Sequence, residues 1–266
     1  MRLLSLQPSI SIILDRLGRL DQLCACTKYC LEVVPALAAQ NLPIVQDSWS
    51  TRTEELLPLR PDLVLASVPY RQESLTAILK SGIPVLLLAP HSLADIYNDI
   101  RLIASVANAA TQAKSLIAEM QSAVESVRAR TASLPRARVY CEEWGKPLIH
   151  SQLWVRELIE AAGGEFIGTP GSTTTPEAVA AADPDVILAA WCGAGNRVPI
   201  ERIVEQRDWR TLRAVRNQNV FCIRDEWLNT PAPTLLRGLQ AIAAALHPGV
   251  FDPPEPPDDL RRIRML

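Results

Sequence analysis

The sequence predicts an α/β protein of two lobes joined by one long α-helix, with a ligand cleft between the lobes. Three observations carry that prediction. First, one phrase occurs twice: Thr53 Glu54 Glu55 Leu56 Leu57 Pro58 Leu59 Arg60 Pro61 Asp62 Leu63 Val64 Leu65, and Thr175 Pro176 Glu177 Ala178 Val179 Ala180 Ala181 Ala182 Asp183 Pro184 Asp185 Val186 Ile187 Leu188. Each copy reads as a short helix, a Pro-Asp turn and a buried strand, at a similar place in its half of the chain. Second, short apolar strands alternate with helical stretches, the pattern of a parallel sheet covered on both faces. Third, residues 92–130 place Ile96, Ile100, Ile103, Val106, Leu116, Met120 and Val124 at helical spacing without a Gly or Pro.

Taken in order, residues 3–6 read as a strand, and Pro8 and Ser9 open a helix that Gly18 stops. A strand over 23–26, a loop over 30–35 and a strand near Ile44 and Val45 lead to Trp49 and the first copy of the phrase, whose strand spans 62–66. The turn Gly82-Ile83-Pro84 feeds a strand over 85–89. The long helix follows, with a bend expected near Asn108, and Pro135 closes it. In the second half a strand covers 138–141, a helix from Leu153 ends at Gly163-Gly164, and the second phrase follows. A strand over 219–223 and a helix over 234–246 complete the plan. The lobes are Rossmann-like: residues 1–91 form the N-terminal lobe, 92–134 the connecting helix and 135–248 the C-terminal lobe. Residues 249–266, rich in proline, are expected to strap the surface or stay irregular. A single connecting helix implies a stiff clamp.

Bulk properties narrow the function classes. A chain of 266 residues with 48% hydrophobic content supports a buried core. A net charge of −2 with interspersed signs gives no field for nucleic acid. No apolar run approaches the ~20 residues of a membrane helix, and no signal peptide is legible at Met1, so the chain as given reads as cytoplasmic, or as periplasmic if a leader has been removed. The six cysteines are expected as free thiols. The chain also carries no phosphate-binding glycine loop, nucleophile turn or His-Glu-x-x-His helix, which argues for a binder over an enzyme.

Several local motifs then line up: Leu4 Ser5 Leu6 Gln7 Pro8 Ser9, Tyr29 Cys30 ahead of Pro35, the phrase over 59–65, Trp191 Cys192 Gly193, and Asn229 Thr230 Pro231 Ala232 Pro233. In order and spacing, over residues 3–248, the chain resembles the helical-backbone (class III) substrate-binding proteins of ABC transporters, which deliver cobalamin, ferric siderophores and haem. The cobalamin branch is the nearest, with Trp191 standing where relatives have proline. The resemblance implies a monomer that holds cobalamin, a related corrinoid or another small-molecule metal chelate, and that meets an ABC transporter permease. It implies ligand contacts at Tyr29, Trp49 and Trp227, with Trp144 on a strand-end loop and Trp191 beside the same cleft. Aromatic faces suit a flat ring. Polar groups over 192–196, including Cys192, and at Ser151 are expected to orient the ligand. Trp154 and Trp209, on helical segments, are assigned to the core. Glu54 and Glu177 match the surface glutamates with which this family docks on its permease; as first-turn helical acids they are also explained by the helix dipole alone.

Two alternatives stay open at this level. Cys26, Cys30, Cys141 and Cys192 fall near strand ends, where converging thiolates would hold an iron-sulfur cluster or a soft metal ion. A metal-dependent enzyme would require an open coordination position; the adjacent Glu142 and Glu143 are candidate acid-base partners, but neighbours on a strand point to opposite faces, so only one can face the cleft and the pair alone does not make a catalyst. His91 and His150 follow strands and are candidates for an axial nitrogen or for structural hydrogen bonds, and His247 ends a helix.

Overall fold

Residues 1–264 are described in the computed structural model. They fall into two units, residues 1–119 with 231–233, and residues 120–230 with those from 234 onward.

The first unit is wound around apolar runs too short for helices and too hydrophobic for an exposed surface. Strands β1 (Leu3–Ser5), β2 (Leu23–Thr27), β3 (Ile44–Val45), β4 (Leu63–Ser67) and β5 (Val85–Leu88) form a sheet in the order β3-β2-β1-β4-β5. Every pairing is parallel, as the alternation of elements predicts. Between the strands run α1 (Pro8–Arg16), α2 (Lys28–Val33), α3 (Thr53–Leu56) and α4 (Gln72–Lys80). Pro8 opens α1 in the first turn, where its missing N–H costs nothing, and Gly18 leaves it at φ 65°. Leu4, Leu6, Leu56, Val64, Ala66 and Ile78 close one side of the sheet. The segment expected as a loop over 30–35 is in fact helix α2: Thr27 caps it by accepting the Cys30 amide at 3.3 Å.

The segment after β5 is two helices, α5 (Leu93–Val106) and α6 (Ala110–Thr131). Ser92 and Asp95 form a capping box at the start of α5. The chain breaks at Asn108, which takes the left-handed conformation at φ 53° and ends α5 where the sequence anticipates a bend. Helix α5 belongs to the first unit and packs on α1. The unit boundary lies within α6, between Glu119 and Met120.

The second unit has a mixed sheet. Strands β6 (Ala137–Gly145), β7 (Leu148–His150), β8 (Gly164–Phe166), β9 (Thr173–Thr174), β10 (Val186–Ala189), β11 (Val220–Ile223) and β12 (Leu260–Arg262) run in the order β12-β11-β10-β6-β7-β9, with β8 beside β6. Helices α7 (Leu153–Ala161), α8 (Pro176–Ala182), α9 (Ile200–Gln206), α10 (Arg213–Arg216) and α11 (Leu235–Leu246) cover it. The long strand β6 plays two parts. Its first half pairs in parallel with β8 and β10, and its last residues turn back on β7 as an antiparallel hairpin. Trp209, Tyr140, Ile187, Val204 and Val220 form the core on one face. The Pro-rich tail ends in regular structure: β12 pairs antiparallel with β11, with Phe221 opposite Arg262.

Candidate ligand-binding site

A pocket of about 800 Å³ opens in the second unit where β6 and β10 end, lined among others by Trp144, Lys146, Trp191, Cys192, Arg202 and Arg207. Its volume lies within the range of small-molecule sites. Carboxyl ends of parallel strands are where open α/β sheets bind ligands.

The pocket is built by the hairpin. The register shifts between Glu142 and Trp144 as β6 pairs with β7, and Trp144 emerges from the strand itself, 44% exposed. It lies in strand β6, not in the loop expected for it. Its Nε1–H donates to the Lys146 carbonyl at 2.8 Å, which ties the indole to the hairpin turn.

Trp191 follows β10 and is held more firmly. Its Nε1–H donates to Glu142 Oε1 at 2.7 Å. Glu142 also accepts a two-pronged bond from Arg207, at 2.7 and 3.0 Å, and the Tyr140 hydroxyl at 2.6 Å. The side chains of Arg207 and Glu142 are 10% and 2% exposed. A carboxylate buried this deeply is tolerable because four donors and one cation meet it. Burial, reinforced by the Glu142 charge, pushes the Tyr140 phenol far up, so it stays a donor. Arg207 in turn lies over the Trp209 ring, 4.8 Å from its centroid. On the other side the Trp191 ring rests against Gly145, where any Cβ would overlap it. The indole therefore has one place to be.

Behind the pocket the turn after Trp191 is closed by Asp225, which accepts the Gly193 and Gly195 amides at 2.7 Å each. Those amides, expected to orient a ligand, are already bonded. Asn196 likewise donates to the Asp258 carbonyl and to Asp259. Cys192 is exposed, and its Sγ accepts from Asn229 Nδ2 at 3.3 Å. Desolvation, then the Glu143 and Asp225 charges, push its thiol up to about 12. It is a protonated thiol at neutral pH.

The other expected residues divide clearly. Tyr29 and Trp49 of the first unit are 41% and 55% exposed and open to a ligand. Trp227 is buried at 4%, beneath Arg237, and Ser151 is fully buried with its hydroxyl donating to Cys141 Sγ at 3.1 Å. Burial takes both out of the set of surface contacts. Trp154 and Trp209 are core residues as expected. His150 is buried and packs edge-on against Tyr140, His91 is exposed, and His247 Nε2 meets the Ala162 carbonyl at 2.9 Å. Of the glutamate pair, Glu142 serves Trp191, and Glu143 accepts from Gln152 at 2.7 Å while burial raises its pKa.

The cysteine-metal alternative finds no support. Among the described residues no group of three or more His, Cys, Asp or Glu stands close enough to hold a metal ion. Cys26 and Cys30, both fully buried, interact with each other in the first unit, where the Cys26 hydrogen bond lowers the Cys30 pKa. Cys141 faces Ser151, and Cys192 faces Asn229. All six cysteines are unbridged. Glu54 and Glu177 are exposed in the first turns of α3 and α8, as the repeated phrase predicts.

Gly145, Lys146, Arg202 and Arg207 escape sequence reasoning. A Gly-Lys-Pro turn after a β-run was the one signal available for the hairpin, and nothing local links Arg207 to Glu142.

Comparison with known proteins bears on this geometry. The profile of the family described as periplasmic binding protein matches residues 3–226. An uncharacterized ABC transporter substrate-binding lipoprotein, YvrC of Bacillus subtilis, is 26% identical, over 94% of this chain and 81% of its own length. A vitamin B12-binding protein of Vibrio parahaemolyticus is 22% identical, over 90% of this chain and 86% of its own. Among solved structures, a periplasmic haem-binding protein from Pseudomonas aeruginosa superposes with a TM-score of 0.84 at 20% identity, covering 99% of this chain and 98% of that one. The periplasmic vitamin B12-binding protein BtuF of Vibrio cholerae gives 0.75 at 24% identity, covering 92% and 96%. With the family profile spanning most of its length, the chain belongs to the periplasmic binding protein family.

Proposed function

We propose that this protein captures a metal chelate of the corrinoid or tetrapyrrole kind and hands it to an ABC-type permease outside the cytoplasmic membrane. The observation that carries the reading is the fixed Trp191 indole beside Trp144 in a pocket of about 800 Å³. A flat ring gains most from aromatic partners already held in place, because neither side chain loses freedom on binding. Tyr29 and Trp49 are exposed aromatic candidates for further contact. Relatives named for vitamin B12 and neighbours named for haem agree with a macrocyclic ligand. Glu54 and Glu177 are offered as the permease contacts: both are exposed, and among the described residues neither makes an ion pair. Among those residues, too, no helix is long and apolar enough to cross a membrane.

The test is absorption spectroscopy of the purified protein after mixing with cobalamin, or separately with haemin, and desalting. The expected result is one of the two chromophores retained near one per chain, and lost in Trp191→Ala. Retention of neither sinks the reading.

A further inference from the structure

We propose that the second unit's pocket selects a planar macrocycle whose rim carries ionised carboxylates, and that Lys146 and Arg202 are the residues that recognise them. The inference rests on the macrocycle-binding reading above and adds the charge of the ligand.

Charge in the pocket is unbalanced. Lys146, in the turn between β6 and β7, and Arg202, on α9, line it from two elements, and both are exposed. Among the described residues neither side chain makes a hydrogen bond or ion pair, whereas the third cation of the wall, Arg207, is neutralised by Glu142. Among the described residues no Asp or Glu lines the pocket. Glu142 and Glu143 in β6 and Asp225 after β11 are engaged elsewhere: Glu142 by Arg207, Tyr140 and Trp191, Glu143 by Gln152, and Asp225 by two backbone amides. Two unmatched cations thus line the same pocket as the Trp144 and Trp191 indoles.

That arrangement discriminates between ring chelates of similar shape. A corrinoid rimmed with neutral amides would bring donors as well as acceptors to two groups that only donate. A ring rimmed with carboxylates would give each cation a charge-assisted bond, and Arg202 the geometry for a two-pronged one. Charge complementarity of this kind fixes which partner is accepted more than it adds raw affinity.

The experiment compares zinc deuteroporphyrin, a diacid, with its dimethyl ester, which keeps the ring and removes the charge. Both are titrated by quenching of tryptophan fluorescence, alongside cobalamin. The wild-type protein should bind the diacid roughly 10- to 100-fold more tightly than the ester, the span expected of one or two charge-assisted bonds. In Lys146→Gln/Arg202→Gln that preference should fall to within about threefold, while ester binding stays near wild type. The single Arg202→Gln variant, on an exposed helical position, gives an intermediate preference and guards against misfolding of the double variant. Equal binding of diacid and ester, an undiminished preference in the double variant, or binding of cobalamin alone overturns this inference and leaves macrocycle binding standing. Binding of none of the three overturns both.

Discussion

The two units hold their aromatic side chains in different ways. In the first, Trp49 sits on a surface turn, its amide bonded to Asp47 and its carbonyl to Ser74, with the indole 55% exposed. Tyr29, on α2, has the Lys28 ammonium 4.9 Å from its ring centroid. In the second, the indoles of Trp144 and Trp191 both donate to fixed acceptors, and Trp191 is also pressed against Gly145. The same contrast holds for buried acids. Asp99, in α5, makes no ion pair among the described residues, and burial followed by the Asp95 charge pushes it up to about 7. Glu142, more deeply buried, meets Arg207, Tyr140 and Trp191. The rigid polar network is concentrated in the second unit, where an antiparallel hairpin joins the parallel strands.

The largest effect is expected at Arg207. Arg207→Met leaves Glu142 buried without its cation and should cost about 3–5 kcal/mol in urea unfolding. A loss under 1 kcal/mol would mean that the network does not hold the second unit together.

In the first unit the buried acid to test is Asp99. In the unfolded chain this carboxyl titrates near 4, and in the folded protein near 7. Between those values the folded state binds more protons than the unfolded state, so its contribution to stability falls as pH rises and levels off above the folded value. Asp99→Asn should therefore match the wild type below about pH 4 and exceed it by a growing margin, a few kcal/mol at most, toward pH 7. Urea titrations across that range that run parallel for the two proteins would show that Asp99 is not strained by burial.

A smaller effect is expected at Gly145. Gly145→Ala must displace the Trp191 ring, costing about 1–3 kcal/mol of stability, and weakening whichever chromophore the wild type retains. Unchanged retention would remove Trp191 from the binding surface. Least of all, Trp49→Ala should alter stability by no more than about 0.5 kcal/mol, because its side chain packs on so little. A larger thermal shift would show that the first unit's aromatic is structural after all.

Much of the fold was written locally. Pro8 and Gly18 bracket α1, Thr175 caps α8, and each Pro-Asp turn delivers a buried strand, because these signals act within a few residues of the backbone they shape. The parallel alternation follows from apolar runs bounded by turns. Of the residues the sequence singles out for ligand contact, Trp144, Trp191 and Cys192 line one pocket. Trp227 and Ser151 could not be told from surface residues, since a side chain after a strand points outward or inward according to packing that no neighbour in sequence reveals. The tail misled for a similar reason, as prolines over 248–257 hide a strand that forms only against β11.

The sequence by itself determined the α/β class, the helix-turn-strand phrase in each half and the family, because local propensity and hydrophobic period are properties of short windows. Tertiary structure alone decided that Arg207 reaches Glu142 across 65 residues, that Gly145 makes room for Trp191, and that Lys146 and Arg202 line one pocket. Those pairings depend on which strand ends and helices the packed sheet brings side by side, a choice made by the burial of the whole core rather than by any stretch of chain.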